Sequence, residues 1–92
     1  MAKFLMLGKY SLEAIKGVSA DRTNKVVDAI KKAGGKIDSM LALMGKYDLA
    51  FLVEFSGIPE AIKASAALTK LTGISFTTSP AITVEEFDKI MA

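Results

Sequence analysis

Short apolar segments alternate along the chain with segments whose apolar residues recur at helical spacing. The short segments predict strands at residues 3–10, 37–44, 49–55 and 74–79, because each is bounded by turn-forming residues. The helical spacing predicts two main helices, each with an apolar stripe. The stripes are Val26, Val27, Ile30 and Ala33 in the first helix, and Ala61, Ala64, Leu68 and Leu71 in the second.

Polar residues and glycines mark the ends of the predicted helices. Ser11 is expected to cap a short helical turn at residues 12–16, and Ser19 or Asp21 to begin the first main helix. The glycine pair at residues 34–35 ends that helix, one of the two in a left-handed conformation. The sequence of residues 83–86 is a capping box, which predicts a last short helix at the carboxyl terminus.

The predicted order is β-α-β-β-α-β followed by the short helix, all in one domain of residues 1–92. This is the α+β ferredoxin-like sandwich, a four-stranded antiparallel sheet with helices on one face. Residues 45–48 begin with Gly and join the second and third strands, so these strands should form a hairpin. The first and third strands are the most continuously apolar, which fits the central positions they take in that fold.

Alternation along the strands places apolar side chains on both faces of the predicted sheet. In the first strand Leu5 and Leu7 point away from the face that carries Phe4, and in the third strand Leu52 points away from the face that carries Phe51. Two helices cover one face only, so we expect a second copy of the chain to cover the other, in a homodimer or higher oligomer. The alternative is that the last helix folds back over it. In the second strand, alternation predicts two sets of residues on opposite faces: Ile37, Leu41 and Leu43 on one face, and Met40, Ala42 and Met44 on the other.

Composition narrows the chemistry and the partners. The net charge is +2, and the 12 basic residues, with Arg22 as the single arginine, are spread along the chain, which does not predict nucleic-acid binding. Cysteine and histidine are absent, which excludes thiolate and histidine ligands and bases. We expect no metal and no cofactor. No run approaches the ~20 apolar residues that span a bilayer, and no signal peptide is evident. We therefore expect a cytoplasmic protein with no membrane partner.

Several segments together resemble the GYD domain family. They are FLMLGKY at residues 4–10, AGGK at 33–36, GKYD at 45–48, TSPA at 78–81 and EEF at 85–87. The resemblance covers essentially the whole chain and implies a ferredoxin-like fold related to the dimeric α/β-barrel superfamily. That family has no established activity. Its wider relatives include cofactor-free monooxygenases, haem enzymes and ligand-sensing domains, and the absence of histidine argues against the haem branch.

Five side chains are candidates for a ligand site, and none is assigned a catalytic role. Tyr47 and Asp48 would place a phenol and a carboxylate at the hairpin tip, although a structural role in the turn is favoured. Tyr10 and Thr78 would line a pocket between sheet and helices, although ordinary strand-end polarity is the favoured explanation. Burial of Glu54 would raise its pKa and suit it to proton transfer, whereas solvent exposure would leave it without a special role.

The function that the sequence favours is an oligomeric domain that binds a small molecule beside the sheet, without identifiable catalytic machinery. The alternative is an enzyme of the cofactor-free monooxygenase or isomerase type, using Tyr10, Tyr47 or Glu54 with a reactive substrate. A structure discriminates between these hypotheses. A closed pocket with convergent tyrosine, threonine and acidic groups would favour an enzyme or a ligand sensor, whereas a solid core without a pocket would favour an interaction module.

Overall fold

Eight elements follow one another along the chain, and the computed structural model describes all 92 residues. The strands are β1 (Ala2–Lys9), β2 (Lys36–Ala42), β3 (Leu49–Phe55) and β4 (Ser75–Ala81). The helices are α1 (Leu12–Lys16), α2 (Ala20–Lys32), α3 (Ile58–Thr72) and α4 (Val84–Met91). Every predicted element is present, and the bounds of the strands differ from the predicted ones by at most two residues.

The strands form one antiparallel sheet in the order β2-β3-β1-β4. The predicted ferredoxin-like arrangement is confirmed, with the two most apolar strands in the centre. Pro80 lies within β4, opposite Phe4, and an edge strand tolerates it because one side of its backbone needs no hydrogen-bond donor. The two main helices, α2 and α3, pack together on one face of this sheet.

The core lies between that face and the two helices. Its buried residues are Phe4 and Met6 of β1, Phe51, Val53 and Phe55 of β3, Val26 and Ile30 of α2, and Ala61, Ala64 and Leu68 of α3. Full burial of each large side chain contributes about 1.5–3 kcal/mol. The other residues of the two predicted stripes are buried or half-buried, whereas Leu71, at the end of the α3 stripe, is 45% exposed.

The end of α2 approaches the core closely at Gly35. Gly34 takes the left-handed conformation predicted for one of the pair, with φ +83°, and the Gly35 amide donates to the Ile30 carbonyl at 2.9 Å. A Cβ on Gly35 would lie 2.7 Å from both the Ile30 Cγ2 and the Phe55 Cε1 atoms. No larger residue fits there unless the core shifts, so Gly35 sets how tightly α2 closes on the sheet.

A β-bulge in β2 corrects one prediction. Ile37 pairs with Val53, but the next pair is Ser39 with Leu52, so Asp38 is an extra residue. The bulge reverses the alternation. Ile37 and Met40 therefore share the helix-covered face, where both pack on the core. Leu41 lies on the other face with Ser39, not with Ile37 as uninterrupted alternation predicts.

The face of the sheet turned away from the helices, which we call the open face, bears the remaining leucines. Leu5 is 37% exposed and Leu41 57%, while Leu7 and Leu52 are half-buried. The last helix does not cover this face, because α4 buries none of its residues: Phe87 is 52% exposed and Ile90 70%. The capping box predicted for α4 is present, between Thr83 and Glu86. No helix of the structure has the length and apolar content to cross a membrane.

Candidate functional site

A cleft opens on the helix-covered side of the sheet, between the first turns of α2 and the β2–β3 hairpin. Its volume is about 200 Å³. Apolar side chains line most of it, among them the buried Val26, Phe51 and Ile74. Tyr10 and Arg22 supply its aromatic and charged groups. Neither a lysine nor a carboxylate lines it, so Arg22 provides the single formal charge in this cleft.

Arg22 is half-buried and has no acidic partner. Its guanidinium lies over the ring of Tyr10, with the Cζ atom 5.7 Å from the ring centroid, which is within the range of a cation–π interaction. One of its N–H groups donates to the Ala14 carbonyl. All three ion pairs of the structure use lysine instead. Since a guanidinium has five N–H donors, most of those of Arg22 have no acceptor in the protein.

The α1–α2 connection positions this guanidinium. Ser19 caps α2, with its hydroxyl oxygen accepting from the Arg22 amide at 3.0 Å, and Ser11 caps α1 by accepting from the Ala14 amide at 3.0 Å. Both caps were predicted from the sequence. A Cβ on Gly17 would lie 2.8 Å from Arg22 Nη1, so the absence of a side chain at Gly17 leaves room for the guanidinium above Tyr10.

Asp48 holds Tyr10 in place from the hairpin side. Its carboxylate accepts from the Tyr10 amide at 2.8 Å. Its own amide donates to the Gly8 carbonyl at 2.8 Å, and its carbonyl accepts from the Leu43 amide at the same distance. Asp48 therefore ties the hairpin to the end of β1. The role of Asp48 is structural, as the residue type in a turn predicts, but its carboxylate bonds the amide of a distant segment and not one within the turn.

The other candidate side chains lie apart from the cleft. Tyr47 is half-buried in the hairpin turn, with the Lys46 ammonium 5.7 Å from its ring centroid. Glu54 is half-buried on the open face, paired in register with Lys3 and Lys36. It therefore lies on the opposite side of the sheet from Tyr10.

Thr78 lies on the helix-covered side but in a different recess, beneath α3. Its hydroxyl forms a hydrogen bond of 3.0 Å with the Ser65 hydroxyl, so each group already has a partner. The enzyme hypothesis uses Tyr10, Tyr47 or Glu54, and these three groups do not share a cavity. The structure brings together only Tyr10 and Asp48 of the five candidates, and Asp48 supports Tyr10 through the backbone.

The family model of the GYD domain matches residues 4–91. The chain belongs to the GYD domain family. The match extends from β1 into α4 and so includes every element around the cleft. No curated protein matches the chain.

Among the residues that line the cleft of this GYD domain, only Tyr10 was predicted as a site residue, and the charged one, Arg22, was not. The available signal was that it is the single arginine among 12 basic residues and lies in the first turn of a helix. Its contacts could not be predicted, because Ala14 and Tyr10 lie in earlier segments of the chain and meet Arg22 only through tertiary packing. The pattern of the sequence does not specify that packing.

Proposed function

We propose that this GYD domain binds a small organic molecule in the cleft between α2 and the β2–β3 hairpin. The observation that supports this proposal is the combination of an apolar lining with two polar side chains that retain hydrogen-bonding capacity. The Tyr10 hydroxyl forms no hydrogen bond within the protein, and most N–H groups of Arg22 have no acceptor there. Small-molecule sites are typically apolar clefts with a few such groups.

Two other recesses support the choice of this cleft by contrast. The recess beneath α3 is larger, about 470 Å³, but its two hydroxyl groups, on Ser65 and Thr78, bond each other. The recess between α2 and α3, about 360 Å³, is lined mainly by exposed charged side chains and small apolar ones. Size alone would favour these two, but neither offers unpaired polar groups above an apolar floor.

The test is a fragment screen monitored by amide NMR spectra of the labelled full chain. We expect saturable shifts that concentrate on residues around the cleft, such as Thr23 and Ala42. Shifts that scatter over the surface, or that concentrate beneath α3 around Ser65, would contradict the proposal. Absence of any saturable shift across fragments of all charge types would contradict it as well.

We also propose that the domain works as a homo-oligomer whose copies pack open face against open face. The exposed Leu5 and Leu41 support this, together with the half-buried Leu7 and Leu52 beside them. At about 25 cal/mol per Å², covering several hundred Å² of such surface contributes several kcal/mol. A two-fold axis would place the same patch on both sides of the contact.

Light scattering at micromolar protein concentration tests the assembly. We expect a mass of at least two chains for the natural sequence and of one chain for Leu5→Glu, because the substitution places a charge in the centre of the patch. Leu71→Glu is the matched control, since Leu71 is a similarly exposed leucine on α3, and it should leave the mass unchanged. A monomeric natural protein, or equal effects of the two substitutions, would refute open-face assembly.

A further inference from the structure

The geometry points to a small carboxylic acid with an apolar body as the ligand of the cleft, with its carboxylate on Arg22. This inference rests on the proposed binding function and specifies its ligand class. The guanidinium is the single charged group lining the cleft, and no carboxylate of the protein pairs with it. A half-buried cation without a counter-ion is less well solvated than one in water, and an anionic ligand restores that interaction.

The single positive charge of the cleft favours a carboxylate over a dianion. The planar fork of N–H donors matches the two oxygens of a carboxylate and donates to both side by side. The hydrogen bond to the Ala14 carbonyl and the contact with the Tyr10 ring restrict the position of that fork. A dianion such as phosphate would face one positive charge and an apolar lining, so half of its charge would have no compensation.

The position of the cleft adds a second attraction for negative charge. Ser19 and Thr23, which line it, belong to the first turn of α2 and its cap. Helix α2 has 13 residues, and the positive end of its dipole lies at this turn. The dipole and the guanidinium therefore act on the same part of the cleft, while Val26, Phe51 and Ile74 form its apolar part.

The volume limits the size of the acid. At the volume that a water molecule occupies in the liquid, 200 Å³ holds roughly seven water-sized groups. Acids of the size of benzoate or hexanoate fit this limit. An aromatic acid also offers a ring that can lie along Phe51, which is buried in the lining.

The experiment is an NMR titration of the full chain with benzoate, with its neutral isostere benzamide, and with inorganic phosphate. We expect benzoate to shift the cleft amides saturably, benzamide to bind more weakly, and phosphate to bind more weakly still. Arg22→Gln should weaken benzoate binding about tenfold to hundredfold, the range expected for hydrogen bonds to a charged group. It should weaken benzamide binding much less, because benzamide carries no charge. Arg22→Lys keeps the charge but not the fork. Its affinity for benzoate should lie between those of the natural protein and Arg22→Gln.

Lys25→Gln is the matched control, because the substitution removes one positive charge from the same helix. Lys25 does not line the cleft. It should bind benzoate like the natural protein, and the amide spectra confirm folding of each variant. Equal benzoate affinity of Arg22→Gln and the natural protein, equal affinity for benzamide, or tighter binding of phosphate would overturn the inference. The first two results would leave binding in the cleft intact, whereas the failure of every fragment would remove both proposals.

Discussion

The two faces of the sheet follow the same alternation of side chains but meet opposite environments. On the helix-covered face Phe51, Val53 and Phe55 of β3 are buried. On the open face Leu52 of β3 and Leu5 of β1, the other central strand, remain in partial contact with solvent. The difference shows that alternation fixes which residues share a face, while the cover of that face comes from elements elsewhere in the chain or from another chain.

The same contrast separates the two proposed roles. The helices on the covered face leave a gap at the first turn of α2, and that gap is the cleft around Tyr10 and Arg22. The open face has no comparable recess with a charged group, and its apolar residues suit a flat contact. We therefore expect substitutions on the covered face to affect folding and ligand binding, and substitutions on the open face to affect assembly.

The largest expected effect compares Phe55 with Leu52 of the same strand. Phe55→Ala should lower the free energy of unfolding by about 3–5 kcal/mol, because it leaves a cavity in the core. Leu52→Ala should lower it by less than half as much in the monomer, since Leu52 is partly exposed there. Urea denaturation at several protein concentrations measures both.

Assembly would change this comparison in a recognisable way. If a second copy covers the open face, the loss for Leu52→Ala should grow with protein concentration, because association stabilises the natural protein by mass action. Equal losses for Phe55→Ala and Leu52→Ala at low concentration would contradict the distinction between the faces.

An intermediate effect is expected at Gly35, where α2 approaches the covered face. Gly35→Ala should lower the free energy of unfolding by about 1–3 kcal/mol, the usual range for overpacking. The cause is the added Cβ, which would lie 2.7 Å from atoms of Ile30 and Phe55. Thermal unfolding measures the loss. Unchanged stability would mean that the packing of α2 against the sheet is looser than described.

A smaller effect is expected at Asp48, which ties the hairpin to β1. Asp48→Ala removes the acceptor of the Tyr10 amide and should lower the free energy of unfolding by about 1–2 kcal/mol. Asp48→Asn keeps an oxygen acceptor and should lose less. Ligand affinity should fall with the alanine variant as well, since the Tyr10 ring would lose its support. Full stability and affinity in Asp48→Ala would show that the bond does not position Tyr10.

The sequence predicted the features that depend on local pattern. The structure confirms that β1 and β3 are the central strands and that each has the two predicted faces. It also confirms the helix caps at Ser11, Ser19 and Thr83. These features follow from alternation, strand polarity and side chains that bond amides three residues away.

The features that the sequence did not predict depend on contacts between distant segments. The bulge at Asp38 arises where β2 pairs with β3, and it moves Met40 to the covered face against the simple alternation. The contact of Arg22 with Ala14 and Tyr10 joins the start of α2 to α1 and to the residue that follows β1. For this reason the candidate site was predicted only through Tyr10 and its neighbour Asp48.

The most direct test of the account is to fill the cleft and measure ligand binding. Ala42 lines the cleft, whereas Ala67 lies on α3 outside it. Both alanines are exposed. Ala42→Trp and Ala67→Trp therefore add the same side chain inside and outside the cleft. The account predicts that Ala42→Trp abolishes saturable binding of fragments found by the NMR screen, while Ala67→Trp binds them like the natural protein. Equal affinity in the two tryptophan variants would contradict the assignment of the ligand site to this cleft.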